Sequence, residues 1–279
     1  MHFVFSTTYL LLSTHYFMTW AGKRQFIYLS LVLLVVFGVA FAIIYPKISV
    51  PPTCTDNKKN GTEIAVDCGG VCARMCASEA RDLTIVWARS FEVVPGVYHS
   101  VAYIENQNVG AGVKRVPYQF KLYDEKNVVI TSREGVATIL PNGRTVVFEE
   151  ALQTGGNRTP KITRFEFTQR PEFWKTSSLY TQARIVESDK GLGSLDSVPK
   201  AYATLKNESF IEVGVFPVYA IVYDQFDNAI GASRTIVDGL QKQSEAKVYF
   251  SWPAPFEKTA QTLEIVPVIN PFTLGEKLE

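Results

Sequence analysis

The fold is decided by a stretch that occurs twice, FKLYDEKNVVI at residues 120–130 and AIVYDQFDNAI at residues 220–230. Pro117 and Pro217 precede the two copies at the same distance. In both copies an apolar run of strand-forming residues is followed by a short polar segment and then by a second apolar run, which is the pattern of a β-hairpin. The duplication therefore predicts two copies of one β-rich domain.

The first strand of each hairpin is expected to turn alternate side chains toward a core, because side chains alternate across a strand. These side chains are Tyr118, Phe120 and Leu122 in the first copy and Val218, Ala220 and Val222 in the second. Ala220 is much smaller than Phe120, so another large side chain must fill the second core to avoid a cavity. Phe226 and Trp252 are the two predicted replacements.

The turn of each hairpin is predicted from its polar residues. Asp124 is expected to accept backbone N–H bonds, and Asn127 tolerates the left-handed conformation that such a loop needs. Asp224 and Asn228 are expected to repeat the arrangement in the second copy. Asn106 and Asn207, which end the strand before each hairpin, are predicted to serve a similar turn-forming purpose.

Short alternating runs separated by polar turns continue from Cys76 to the end of the chain, as is typical of sandwich folds. The predicted strands are 83–91, 100–105, 118–123, 128–131, 145–149 and 162–168, then 181–186, 201–206, 218–223, 229–232, 246–250 and 262–266. This pattern predicts a mainly β fold with two tandem β-sandwich domains, at residues 82–175 and 176–279. Residues 188–197 are predicted to form an exposed, flexible loop, and Phe173 and Trp174 either pack at the domain junction or form an exposed binding site.

Four residues of the first copy, Phe120, Leu122, Tyr123 and Asp124, resemble the signature of the FxLYD domain family. The second copy keeps only Val222, Tyr223 and Asp224, so its resemblance rests on the internal repeat. The family consists of small β-sandwiches in bacterial and archaeal proteins that are located at the surface or attached to membranes. The resemblance implies an immunoglobulin-like or fibronectin-like fold and brings no known catalytic activity.

Residues 26–45 contain no charged residue and are long enough, as a helix, to cross the hydrocarbon core of a bilayer. Lys23 and Arg24 precede this segment and only Lys47 follows it closely. The positive-inside bias therefore places residues 1–25 in the cytoplasm and the chain beyond residue 45 outside. The alternative is a cleaved signal peptide, for which residues 40–42 resemble a cleavage site.

Residues 1–20 are apolar but interrupted by hydroxyl residues and a histidine, and two interpretations are open. They either form a second membrane segment, in a hairpin with residues 26–45, or precede a true start at Met18. The hydroxyl content and the short connection favour a single membrane span. The ectodomain assignment is the same in both cases.

Residues 46–81 are predicted to form a proline-containing stalk that carries all four cysteines of the chain. The cysteines are Cys54, Cys68, Cys72 and Cys76. From Cys54 to Cys72 the segment resembles a motif of secreted and surface-attached proteins, C-x-D-x3-N-G-x-E-x3-D-C-G-G-x-C. Their position after the membrane segment favours two disulfides, with three possible pairings, over a zinc site with four thiolates.

Four oxygen-bearing residues lie within the same segment, Asp56, Asn60, Glu63 and Asp67. Carboxylate and amide oxygens within twelve residues are suitable ligands for calcium, so a weak calcium site is one hypothesis. The other is that these residues stabilise turns by bonding the local backbone, because the EF-hand pattern is absent. The sequence predicts no other cofactor.

The chain beyond Lys47 carries 25 basic and 27 acidic residues, and this balance argues against a nucleic-acid partner. His99 is the one histidine of this region, and it is expected in a solvated loop between two strands. A triad with a histidine would have no other candidate, and no glycine-rich phosphate loop is present. The sequence therefore predicts no enzyme.

The combined pattern favours a single-pass membrane protein whose ectodomain has a structural, adhesive or protein-interaction role. Its partners would be the membrane, through residues 26–45, and other envelope or surface proteins. The alternative is a ligand-sensing or solute-binding ectodomain of an envelope complex. A polar-lined pocket between the two domains would favour that alternative.

Overall fold

The computed structural model describes residues 19–48, 51–156 and 158–274. The chain divides into two compact units, residues 1–53 and residues 54–279. The two interpretations of residues 1–20 concern positions that lie almost entirely outside the described residues. Strands account for 47% of the chain and helices for 13%, which confirms the mainly β fold.

Among its described residues, the first unit contains one helix, α1, at Trp20–Ile48. It begins at a local cap, because the Thr19 hydroxyl accepts a hydrogen bond from the Gly22 amide at 3.4 Å. The predicted segment 26–45 lies inside α1, and the helix extends it by six residues at one end and three at the other. The stretch Trp20–Pro46 is long and apolar enough to cross a membrane, and its length and position also fit a signal sequence.

The second unit contains thirteen described strands and one short helix. The first repeat contributes β1 Thr84–Val94, β2 Val97–Asn106, β3 Ala111–Tyr123, β4 Val129–Ile139, β5 Gly143–Gln153, β6 Ile162–Phe167 and β7 Phe173–Lys175. After α2 Ser178–Gln182, the second repeat contributes β8 Ile185–Gly193, β9 Lys200–Asn207, β10 Phe216–Tyr223, β11 Ala229–Val237, β12 Glu245–Ser251 and β13 Thr262–Pro267.

All described strand pairs are antiparallel, and they form two sheets in each repeat. The sheets of the first repeat are β1-β2-β5 and β4-β3-β6, with β7 added to the first half of β3. The sheets of the second repeat are β11-β10-β13 and β12-β9-β8. In each repeat the two sheets enclose an apolar core, as in a β-sandwich.

The repeated strand lies at the centre of each sandwich. Phe120 is fully buried, and its ring packs against Phe165 of the neighbouring strand at a centroid distance of 5.0 Å. In the second core Trp252 is 7% exposed and belongs to the same apolar cluster as Ala220. The prediction for Phe226 is wrong: this side chain lies at the hairpin tip and is 73% exposed.

The two hairpin turns have the same hydrogen bonds. Asp124 Oδ1 accepts from the amides of Lys126 and Val128, both at 2.9 Å, which confirms its predicted role. Asp224 Oδ1 accepts from the amides of Phe226 and Asn228 at the same distances. Asn127 has the predicted left-handed backbone, with φ of 59°.

The left-handed residue of the second turn was predicted wrongly. It is Asp227, with φ of 58°, whereas Asn228 is one position further on. Asn228 instead pairs its backbone with Asp224, whose amide donates to the Asn228 carbonyl at 2.9 Å. An aspartate tolerates the left-handed region for the same reason as an asparagine, since its short side chain bonds the local backbone.

The connection between the domains also differs from the prediction. Residues 178–182 are helical, with Ser177 as the cap, so the strand expected at 181–186 begins only at Ile185. The loop expected at 188–197 is largely strand β8. Gly191 is needed there for close packing, because a Cβ atom would lie 2.5 Å from the Tyr202 ring.

Candidate functional site

The two sandwich domains pack against each other through a third apolar cluster. The side chains of sheet β1-β2-β5 that point away from the first core meet those of sheet β11-β10-β13 that point away from the second. The buried members are Val101, Tyr103, Val146, Tyr219, Ile221, Ala229, Ala232 and Val266. The four sheets therefore stack in the order β4-β3-β6, β1-β2-β5, β11-β10-β13 and β12-β9-β8.

A carboxylate at this interface joins both domains. Glu264 of β13 accepts hydrogen bonds from the hydroxyl of Tyr103 in the first domain and from that of Tyr223 in the second, the latter at 2.7 Å. Burial, together with the Glu264 charge, raises the pKa of both tyrosines far above its ordinary value. Both hydroxyls therefore stay protonated and donate throughout the physiological range.

Two arginines add polar contacts across the same interface. Arg89 donates to the Ala229 carbonyl at 3.0 Å and to Asn228 Oδ1 at 2.9 Å. Arg234 of the second domain pairs with Glu150 of the first at 3.0 Å. Asn228 thus belongs both to the second hairpin turn and to the contact between the domains. The equivalent residue of the first hairpin is Val128, whose side chain has no group that could accept such a hydrogen bond.

His99 lies in strand β2 beside the interface, and the prediction of a solvated loop is wrong for it. Its Nδ1 accepts a hydrogen bond from the Ala151 amide at 3.3 Å, and its ring packs on Phe148 at 5.1 Å. Burial lowers the pKa of His99; the nearby Glu150 carboxylate opposes this shift, and Arg234 adds to it. The residue is a structural acceptor at a β-bulge, where Ala151 has φ of 54°.

The lowered pKa of His99 predicts a pH-dependent stability. The ordinary pKa of histidine is 6.5. The stabilisation that depends on neutral His99 is therefore complete above pH 6.5, and it decreases as the pH falls through the lower folded-state pKa. We expect the urea midpoint to fall between pH 7 and pH 5 in the native chain. The His99→Gln variant should lose the part of this slope due to His99; an unchanged slope would contradict the assignment.

The four cysteines form the two predicted disulfides, Cys54–Cys72 and Cys68–Cys76. All four sulfurs are therefore bonded in pairs, and none is a thiolate available to zinc. We call residues 54–76 the disulfide module.

The end of the disulfide module is bound to the first sandwich domain. Residues 73–75 run beside β7, since the Met75 amide donates to the Phe173 carbonyl at 2.9 Å and the Lys175 amide donates to the Ala73 carbonyl at 2.7 Å.

Three of the four residues of the calcium hypothesis bond the local backbone of the module, whereas the side-chain amide of the fourth, Asn60, donates to Asp56 Oδ2 at 2.7 Å. Asp67 accepts from the Asn57 amide at 3.0 Å, and Asp56 accepts from the Lys58 amide at 2.9 Å. Glu63 is buried, and its Oε2 accepts from the amides of Asn60 and Asp67. These backbone hydrogen bonds are the ones expected if the residues stabilise turns. Calcium binding stays a prediction.

Phe173 and Trp174 occupy different environments. Phe173 is 6% exposed and belongs to the first core. Trp174 is half-buried, and the Lys114 ammonium lies 4.3 Å from the centre of its ring. The same ammonium lies 5.6 Å from the ring of Phe272, so Trp174 lies near the C-terminal segment and is only partly open to solvent.

Sequence reasoning missed the interface residues, although β10 carries a signal for them. The sequence FPVYAIVY of this strand is apolar at both parities. A strand that is buried on both faces has a continuous apolar run instead of an alternating one. Tyr219 and Ile221 alternate with the core residues of β10. The continuous apolar run therefore predicts that the second face of this strand is also buried, and in the structure it is buried against the first domain.

Comparisons with known proteins add little. No protein-family model and no curated protein matches this chain. Among solved structures, red sea bream transglutaminase covers 67% of this chain at 8% identity and a TM-score of 0.22. A glycosyl hydrolase family 2 member from Bacteroides cellulosilyticus covers 63% at 7% identity and a TM-score of 0.17. The matches span 31% and 27% of those two proteins, so this chain corresponds to less than a third of either.

Proposed function

We propose that this chain is a single-pass membrane protein whose disulfide module and paired sandwich domains have a structural, adhesive or protein-interaction role at the cell surface, without catalysis. The observation that carries the proposal is the filled interface between the domains. The space in which a solute would bind between two domains is occupied by packed side chains such as Tyr103, Tyr219 and Ile221. A rigid pair with this packing suits a spacer or a contact surface better than a solute receptor.

Two observations support the proposed membrane topology: the basic residues at the start of α1 and the two disulfides. Lys23 and Arg24 at the start of α1 favour a cytoplasmic N-terminus. The two disulfides suit an oxidising compartment outside the cytoplasm. Membership of the FxLYD family remains part of the proposal, supported by the burial of Phe120 and Leu122 and by the turn role of Asp124.

Exposed apolar side chains mark where a partner would contact the ectodomain. Phe210 is 85% exposed and Val215 is 63% exposed, and both lie in the loop between β9 and β10. Large exposed apolar groups that lie close together are typical of protein contact sites. The loop 208–215 is therefore the surface on which we expect a surface-protein partner.

Photo-crosslinking in living cells tests this function. A photo-reactive residue at position 210 of the full chain should capture one defined envelope protein, whereas the same residue at exposed position 125 should not. Equal or diffuse products at both positions would contradict a contact role for this loop. Protease added to intact cells should degrade the chain beyond residue 53, and complete protection would overturn the orientation.

A further inference from the structure

A cleft of about 210 Å³ lies where the disulfide module is joined to the first sandwich domain. It is separate from the interface between the domains. Most of its lining is apolar and comes from Ala77, Ala80, Leu83, Phe167 and Phe173. A concave apolar surface with a small number of polar groups is the usual form of a small-molecule site.

The walls of this cleft are fixed by covalent and hydrogen bonds. The Cys68–Cys76 disulfide holds the start of the turn in which the Ala80 amide donates to the Cys76 carbonyl at 3.2 Å. Asn108 holds the next residue from both sides, accepting from the Arg81 amide and donating to the Arg81 carbonyl, each at 2.7 Å. The cleft is therefore formed before any ligand binds, which lowers the entropy cost of binding.

Pro171 adds to the apolar lining, and two opposite charges complete it, Asp82 and Arg170. In the part of the chain that the structure describes, neither side chain makes a hydrogen bond or an ion pair. The cleft thus offers one anionic and one cationic group beside an apolar surface.

The size and charge of the cleft restrict the ligand. Drug-sized ligands occupy pockets of roughly 300–1,000 Å³, so a cleft of about 210 Å³ takes a smaller molecule. Asp82 disfavours a fatty acid or another simple anion, and Arg170 disfavours a simple amine, because each would face a like charge. A small zwitterion with an apolar side chain fits both groups and the lining between them.

We propose that this cleft binds a free apolar α-amino acid. Arg170 receives the carboxylate, Asp82 receives the ammonium group, and the side chain packs against Leu83 and Phe167. A guanidinium forms two parallel hydrogen bonds with a carboxylate, which makes Arg170 the group that orients the ligand. This binding adds a ligand-dependent property to the contact role and does not depend on it.

Calorimetric titration of the full chain in detergent with L-valine, L-leucine, L-methionine and L-phenylalanine tests the proposal. At least one should bind at low millimolar concentration or below. For L-leucine, leucinamide lacks the carboxylate and N-acetyl-L-leucine lacks the ammonium group, so each should bind about tenfold more weakly. Failure of all four amino acids to bind, or equal binding of leucine and both analogues, would overturn it.

Two variants separate the roles of the charges. Arg170→Gln should weaken leucine about tenfold without weakening leucinamide, whereas Asp82→Asn should weaken leucine without weakening N-acetyl-L-leucine. Ala77→Trp, which fills the cleft from an exposed position, should abolish binding. Arg164→Gln and Asp238→Asn are controls on exposed surfaces elsewhere and should bind as the native chain does. A loss in the controls equal to that in the cleft variants would contradict the site.

Discussion

Replacement of Asn106 by alanine is expected to destabilise the first sandwich domain by about 3 kcal/mol or more. Asn106 is 1% exposed, and its Nδ2 donates to the carbonyls of Ala111 at 2.9 Å and Leu140 at 2.8 Å. Its Oδ1 accepts from the Asn108 amide at 3.0 Å. Alanine leaves these three buried backbone groups unpaired, and each costs roughly 1–3 kcal/mol when no water replaces the partner.

Urea unfolding followed by the fluorescence of the tryptophans measures this effect. Gln107→Ala is the matched control, because Gln107 is the exposed neighbour of Asn106 and its loss should change stability by about 0.5 kcal/mol or less. Asn207→Ala should reproduce the effect in the second domain, where Nδ2 donates to Ile211 at 2.8 Å and Leu240 at 3.1 Å. If Asn106→Ala unfolds at the same urea concentration as Gln107→Ala, the hydrogen bonds of Asn106 do not contribute the expected stability, and the prediction is wrong.

The second large effect is expected from Ile221→Lys, which should separate the two domains. Ile221 is fully buried in the interface, on the face of β10 opposite to Ala220 and Val222. An ammonium group there would be buried among apolar side chains, and the carboxylate across the strand, Glu264, already accepts hydrogen bonds from Tyr103 and Tyr223. Burial of the charge would therefore cost several kcal/mol unless the domains separate. Separation of the domains costs less free energy than burial of the charge, because each domain keeps its own core.

Small-angle X-ray scattering should show an increased radius of gyration for Ile221→Lys. Protease should cut the connection at residues 176–184, which is already largely exposed, at a higher rate than in the native chain, because separated domains no longer hold it in place. Ile236→Lys is the matched control: the same substitution in the neighbouring strand, at a side chain that is 54% exposed. It should leave both measurements unchanged. An Ile221→Lys protein as extended as the control, with both domains folded, would refute the rigid pairing.

The local parts of this fold follow from the sequence because short-range chemistry determines them. Asp124 and Asn127 are sufficient to predict the first turn, since aspartate acceptors and a left-handed asparagine leave few other conformations. Phe120 and Leu122 predict the buried face through simple alternation. The strand boundaries extend further than predicted because edge residues such as Val94 are ordered by pairing and not by burial.

The non-local parts depend on partners that the sequence does not identify. A turn-forming role was predicted for Asn106, but its contact with Leu140, 34 residues further on, exists only when the two sheets are packed. The pairing of Cys54 with Cys72 likewise required the folded module, since four cysteines allow three arrangements. Leu83 and Phe167 form one cleft because β1 and β6 belong to facing sheets.

The pairing of the two domains through sheet faces limits how this protein can be rearranged in evolution. A domain connected only by a linker can be duplicated again, exchanged or lost without harm to its neighbour. Here the loss of the second domain would expose Val101 and Tyr103 to water, and the loss of the first would expose Tyr219 and Ile221. Neither domain can therefore be lost or exchanged without exposing apolar side chains of the other.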